Sequence, residues 1–429
     1  MPWGKKLIGG RAKLLPLRVG MYRITYFADL CNQFTTWNEL STFLQSEDGG
    51  SLRIIEEGQY GIIRYVKGQS DLYNAKKPWV PWFRSVVWNK QTNRPVCVAP
   101  RKAQTGDIPS DRPLEVQEFL EGVMVNAFYE GSGDLQLATR SSLGATTGFY
   151  SSRSFSDLFQ EALKEKGQQT LESLKSLLIK EFPPINNSVD SSISGAFASF
   201  VLQHPEHRVV AKIEKPNLYV IHTGYVEPNG EVVLNTEPRC VGLWLWKVPQ
   251  YEQRLEPGQS AQERLNEMTN LSSPYWQGLV FRDPETGDRW RLRSVSYKLL
   301  RELRGKESRS EERFVRLRSQ NMLRLYTFSF QEDKELFLEF EKRLRSLTAK
   351  IYKEYCSVHK EKSKTFLDVD VALRTHIYHL HGIYLNTLKA KSQTLKMPIV
   401  IQYVNSLTPE VLGPLLRSNV DLTIHQEDL

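Results

Sequence analysis

The chain has 429 residues, 25% of them charged and 40% hydrophobic, an ordinary globular mix that excludes pervasive disorder. The length allows two or three domains, each with its own core. A net charge of +8 admits an anionic partner such as RNA, DNA or a nucleotide without demonstrating one.

Taken in chain order, the N-terminal third reads as short strands and turns. GIIRYVKG (61–68), FRSVVWNK (83–90) and RPVCVAP (94–100) are rich in β-formers, and NKQTNRP has hairpin chemistry. A Pro/Gly-rich connector then leads to a strand pair, EFLEGVMVNAFYE (118–130) and DLQLATRSS (134–142), joined at Gly131-Ser132-Gly133. Ser154 or Ser156 can cap one helix running to Phe182, before Pro183-Pro184. NNSVDSSISG (186–195) reads as a loop. Strands return in SFVLQH, RVVAKI, LYVIHTGYV, GEVVLN and CVGLWLW, followed by a short helix within 252–272 and two strands, YWQGLVFRD and DRWRLRSVSY. Strands interrupted by one or two helices imply an α+β domain over 1–304. The segment 305–313 is a charge-rich link. Beyond it Phe337, Phe340, Leu344, Leu347, Ile351 and Tyr355 recur at helical spacing, so 314–417 is expected to be all-α, with a polar tail at 418–429.

Cys31, Cys97, Cys240 and Cys356 are far apart and form no CxxC, which fits a reducing compartment better than a disulfide scaffold. The start MPWGKKLIGGRAKLLPLRVGM is a poor signal peptide, because Gly and Arg break its apolar stretches. No segment reaches the ~20 apolar residues that span a bilayer. An intracellular, cytoplasmic protein with no membrane partner is expected.

Several segments suggest chemistry by their order. FRSVVWNKQTNRPVCVAPRKA stands upstream of EFLEGVMVNAFYE, and ATRSSLGA follows. SFVLQHPEHRVV, YWQGLVFRD and WRLRSVSYKL come later. In this order they resemble the motifs of covalent nucleotidyltransferases, in particular phage-type RNA ligases, over roughly residues 60–300. The chain also resembles, into its C-terminal part, a group of ligase-like proteins of large DNA viruses.

That resemblance implies an antiparallel nucleotidyltransferase (ATP-grasp-like ligase) domain and ATP and magnesium as cofactors if the site is active. It further implies RNA or another nucleic acid, and other viral proteins, as partners, in the host cytoplasm or the virion. The family motif KxDG places a nucleophilic lysine where this chain has Phe119, and a benzyl group cannot attack a phosphate. The motif acid survives as Glu121, followed by Gly122. Gln203 and Gln277 stand where the family has metal-binding glutamates, and a hard divalent cation favours charged oxygen. Arg291 and Arg293 replace the closing lysines, and Arg140 lies in the segment after the nucleophile motif. These seven positions, Phe119 apart, form the expected nucleotide site. Arg84, Arg208, Arg301 and Arg304 are the expected nucleic-acid contacts. Lys102 and Lys298 are the candidates for a relocated nucleophile. The expected function is therefore a binding protein that has lost adenylyl transfer. The alternatives are an active RNA ligase with a displaced lysine and a structural or virion protein with a vestigial groove.

Between 289 and 318 basic residues outnumber acids, either a nucleic-acid track or a solvated helix face. His204 and His207, and His376, His379 and His381, have metal-compatible spacings, but no cysteine or well-placed carboxylate completes either set. Trp79, Trp82, Phe83 and Trp88 could stack bases or form an aromatic core edge. Gly4…Gly9-Gly10 lacks the GK[ST] ending of a phosphate loop and is rejected.

Overall fold

The computed structural model describes residues 20–148, 153–167, 169–182, 195–239, 241 and 245–418. The rejected glycine loop at the start, Cys240, nearly all of the 186–195 loop, and the tail beyond Ser418 lie outside the described residues. The chain divides into two compact units between Lys298 and Leu299.

The first unit is α+β with antiparallel sheets. Strand β1 (Met21–Ile24) precedes two helices, α1 (Tyr26–Gln33) and α2 (Trp37–Gln45), the second started by a reciprocal capping box between Thr36 and Glu39. A meander follows in β2 (Arg53–Glu57), β3 (Tyr60–Arg64), β4 (Val86–Asn89) and β5 (Arg94–Val98). Then come β6 (Leu114–Glu118), β7 (Val123–Glu130), β8 (Gln136–Ala138), helices α3 (Phe155–Glu165) and α4 (Leu171–Glu181), and β9 (Gly195–Gln203). Strands β10 (Asn217–Val226), β11 (Val232–Asn235), β12 (Trp246–Lys247) and β13 (Gln250–Leu255) lead to helix α5 (Ala261–Leu271). Strands β14 (Gly278–Arg282) and β15 (Arg289–Arg293) close the unit, and the division falls within α6 (Val295–Arg304).

Among the described residues these strands make three sheets. A seven-stranded sheet runs β1-β11-β10-β9-β7-β8, with β12 added in parallel on β10; the four-stranded sheets run β13-β6-β14-β15 and β2-β3-β4-β5. Strands β6 and β7 thus belong to different sheets, and residues 119–122 are the crossing between them. The single strand expected over 118–130 is corrected accordingly. The crossing needs glycine, because a Cβ on Gly122 would sit 2.5 Å from the Leu202 carbonyl oxygen.

Four other expectations need correction. The helix expected to run unbroken to Phe182 is two helices, since Gly167 turns with φ +78° and Thr170 caps a new one. RVVAKI is not a strand, because its amides bind a side chain instead of a ladder, as described below. The start of the expected 252–272 helix is the end of β13, an edge strand whose register on β6 shifts between Tyr251 and Leu255. The charge-rich link is shorter than expected, since α7 (Ser310–Ser319) already begins at Ser310. The aromatic cluster belongs to the core, with Trp82, Phe83 and Trp88 buried around Phe27, and Trp79 half-buried against them.

The second unit is helical: α7, α8 (Leu323–Ser329), α9 (Lys334–Tyr355), α10 (Val371–Ile383), α11 (Met397–Ser406) and α12 (Pro409–Arg417). The expected stripe of α9 is its buried face, packed on Phe314, Tyr326 and Leu373. No helix among the described residues is long and apolar enough to cross a membrane. Leu347 is fully buried in this core. Leu347→Ala should lower stability by about 2–5 kcal/mol, whereas Leu338→Ala, on the exposed face, should change it by less than about 0.5 kcal/mol. Urea titrations followed by circular dichroism of the intact chain check both.

Candidate functional site

The site is built around the crossing between the two sheets. Alternation along β15 puts Arg289, Arg291 and Arg293 on one face and Trp290 and Leu292 on the other, where Trp290 enters a small core. The Phe119 main-chain N–H donates to the Gly278 carbonyl at 2.9 Å, which fixes Phe119 beside the start of β14. Its ring then lies under two guanidinium groups, with Arg291 at 5.9 Å and Arg293 at 5.2 Å from the ring centroid. Phe119 is therefore an aromatic floor for cations.

A second aromatic face adjoins it. Arg140, at the turn after β8, lies 4.6 Å over the Tyr65 ring and donates to the main-chain carbonyls of Tyr65 (2.7 Å) and Arg84 (3.4 Å). Lys102 Nζ lies 5.6 Å from the same ring and donates to the Tyr73 hydroxyl at 2.9 Å. Among the described residues, none of Arg64, Arg84, Arg140, Arg291 or Lys102 is paired with a carboxylate; the ion pairs of this region are Arg101–Asp288 and Arg282–Glu115.

Burial, and then the crowding of like charge, registers in the ionisation of Arg84, Arg64 and Arg289. Burial lowers the Arg84 pKa, and Arg140 and Arg291 lower it further. Arg64 is shifted the same way by burial, then by Arg140 and Arg53. Burial, with Arg84 next in weight, brings Arg289 down to about 10. Among the described residues of the site, Arg64 Nε, Arg291 Nε and Gln277 Oε1 are buried without a hydrogen-bond partner. Buried polar atoms are normally satisfied, so these ask for a water or a ligand.

Glu121 behaves otherwise. It is 8% exposed, and its carboxylate accepts main-chain N–H from Val209 (3.2 Å), Val210 (2.9 Å) and Ala211 (3.1 Å), and the Tyr297 hydroxyl at 2.6 Å. Gln203 Nε2 clamps the Glu121 carbonyl at 2.7 Å. The donor set does not fit a resident magnesium ion: the one carboxylate is saturated, and the other two positions are amides.

The remaining expected residues are dispersed. Arg208 donates to the Val210 carbonyl and lies 5.3 Å over Tyr275, whose ring also faces Lys212 at 5.0 Å. Lys298 is exposed, one residue past Tyr297. In the second unit Arg301 donates to the Gly305 carbonyl. Arg304 leaves the nucleic-acid set, because it is 6% exposed and bound to Asp333 and Tyr326. The basic run is likewise no open track. Arg313 is buried on the Arg304 and Glu307 carbonyls, Arg316 pairs with Glu307, and Arg318 pairs with Glu341. The histidines have packing partners: His204 Nδ1 accepts from the Glu206 amide, His207 lies edge-on to Phe155, His376 meets Tyr403, and His381 stacks on His359. Arg64, Tyr65, Tyr73 and Tyr297 complete the site and had no sequence signal of their own.

No protein-family model matches the chain, and no curated protein does. Among solved structures it is similar to an archaeal ATP-dependent RNA ligase in two forms. The first is 14% identical with TM-score 0.38, covering 67% of this chain and 68% of that one; the second is 13% identical with TM-score 0.39, covering 75% and 82%. It is also similar to a putative ATP-dependent DNA ligase from Aquifex aeolicus, at 12% identity and TM-score 0.36, covering 71% and 72%. Superpositions of this size leave the functional reading to the side chains.

Two outcomes follow from the geometry. Glu121→Ala strands three main-chain donors and should lower stability by about 3 kcal/mol or more, and Tyr297→Phe, which removes one bond to the carboxylate, by about 1.5–3 kcal/mol; thermal melting reads both. Burial pushes the His222 pKa from 6.5 to about 3 while its Nε2 faces the Val98 carbonyl. The unfolded chain therefore binds a proton near pH 6.5 that the folded chain refuses until about 3, so stability falls on acidification through that window and is unaffected above it. His222→Gln should flatten the slope of urea midpoint against pH between those limits.

Proposed function

We propose that the first unit is a ligase-shaped phosphate-binding module for a nucleotide or nucleic acid, working without nucleotidyl transfer. The observation that carries this reading is the cluster of Arg84, Arg140 and Arg291 beside Phe119, none paired with a carboxylate among the described residues. Half-buried cations crowded together without a carboxylate partner are poised for an anion, and a phosphate would relieve both their desolvation and their repulsion. Guanidinium groups are planar and suit two phosphate oxygens at once. Aromatic floors under Arg291, Arg293 and Arg140 hold the groups in place without neutralising them. Phe119 offers no nucleophile, and the saturated Glu121 offers no free carboxylate for a metal.

A second reading, adenylyl transfer from a displaced lysine, is favoured by one observation. Lys102 Nζ shares the Tyr65 ring with Arg140, so an amine stands at the edge of the cluster. In that chemistry its nitrogen would form a bond to the α-phosphorus as pyrophosphate leaves and a proton is lost.

The protein should bind tripolyphosphate and single-stranded RNA at low salt, with affinity falling steeply as salt rises. Arg291→Ala should weaken both about tenfold and reduce the salt slope, as loss of one charged phosphate contact does. Calorimetry across a salt series reads this, and unchanged affinity in the variant would remove the proposal. Incubation with labelled ATP and magnesium, followed by a denaturing gel, should leave no covalent label. A label lost in Lys102→Ala would establish the second reading instead.

A further inference from the structure

The segment 72–81 folds against 101–104 and encloses a cavity of 310 Å³. Its volume lies at the lower end of the range of small-ligand sites, which run from roughly 300 to 1,000 Å³. Leu72, Pro78 and Pro81 give it apolar walls, and Tyr73, 64% exposed, offers it a large aromatic face that no core claims. Gln104 brings an amide, with both donor and acceptor, that makes no side-chain hydrogen bond among the described residues. Apolar walls, an exposed ring and the amide edges of Asn74 and Gln104 match a planar heterocycle with polar edges better than they match a sugar or an aliphatic chain.

The cavity is joined to the cation cluster. Lys102 lines it and lies 4.8 Å over Tyr73 and 5.6 Å over Tyr65, the ring that Arg140 covers from elsewhere. Gln104 is pinned to β15 by main-chain bonds to Arg289 (2.7 Å) and Arg291 (3.1 Å). A group seated on Tyr73 therefore has Lys102 and then Arg140 and Arg291 next to it. A base within a duplex is held in its stack and cannot enter such a cavity, whereas an unpaired base can.

We infer that this cavity receives one unpaired base of a single-stranded nucleic acid, stacked on Tyr73, with the adjoining phosphates along Lys102, Arg140 and Arg291. The inference rests on the phosphate-binding reading above and names the substrate class of that site.

The test is calorimetry of the full chain with three probes: a short oligothymidylate, the matching abasic oligomer, and tripolyphosphate. The wild-type protein should prefer the base-bearing strand to the abasic one by about tenfold, the scale of one base–aromatic stack. Tyr73→Ala should abolish that preference, weakening oligothymidylate about tenfold more than it weakens tripolyphosphate. Tyr73→Phe, which keeps the ring and loses the hydroxyl that meets Lys102, should retain the preference. Equal wild-type affinity for the two strands, or a preference surviving in Tyr73→Ala, would overturn the cavity assignment while the phosphate reading stood. A loss shared equally by all three probes would make Tyr73 a prop for Lys102 and overturn it too. Failure of the wild-type protein to bind any probe at low salt would overturn both readings.

Discussion

The carboxylate of Glu121 is the constraint on which the first unit's site depends. A buried charge is tolerated when its oxygens are saturated, and here three main-chain amides and the Tyr297 hydroxyl saturate them. Those bonds join parts that are far apart in the chain: the crossing between two sheets, the segment after β9, and the start of α6. Once they are joined, Gly122 must pass against the Leu202 carbonyl, and Phe119 must leave β6 beside β14. The placing of the aromatic ring beneath the β15 arginines follows from that lock.

Against this satisfied anion stands a set of cations that the fold leaves unneutralised. Arg64, Arg84 and Arg289 are each shifted by burial and by one another or by Arg140 and Arg291. Such an arrangement works against folding stability, and two kinds of contact limit the damage. Carbonyl oxygens of Tyr65 and Arg84 accept from Arg140, and the rings of Phe119 and Tyr65 present their negative faces. Neither contact removes charge. The positive charge of the cluster survives, which is the form in which an anion can use it.

Much of the architecture was legible because period-two patterning and turn chemistry are local. The strands β3 to β5 and β9 to β11, and the helical stripe of α9, were readable on that basis, whereas β2 was not read at all. What was not legible depended on partners. RVVAKI has the composition of a strand, yet its amides serve Glu121, 88 to 90 positions earlier. The crossing at 119–122 looked like continuous strand because nothing local announces that β6 and β7 join different sheets. At the site, motif order pointed to Glu121, Arg140, Arg291 and Arg293. It could not separate the acid saturated by main-chain amides from the clustered cations, and it passed over Tyr297, whose role is fixed by a residue 176 positions away. The basic run from 289 to 318 failed as a track for the same reason, since Glu307, Asp333 and Glu341 already take several of its arginines.

Phe119 and the arginines over it are best understood as one physical unit. A lysine at that place would add a third cation about 5–6 Å from Arg291 and Arg293. At an effective dielectric of 20, each such like-charged pair would cost about 3 kcal/mol. The phenyl ring reverses the sign of both interactions, because each guanidinium is attracted to its face by about 0.5–2 kcal/mol. Arginine also differs from lysine in binding phosphate as a fixed planar fork while remaining protonated, so it holds an anion without becoming a nucleophile. An aromatic floor with arginines above it is thus self-consistent for holding phosphate. A lysine nucleophile would be consistent only with fewer cations beside it and with carboxylates free for a metal.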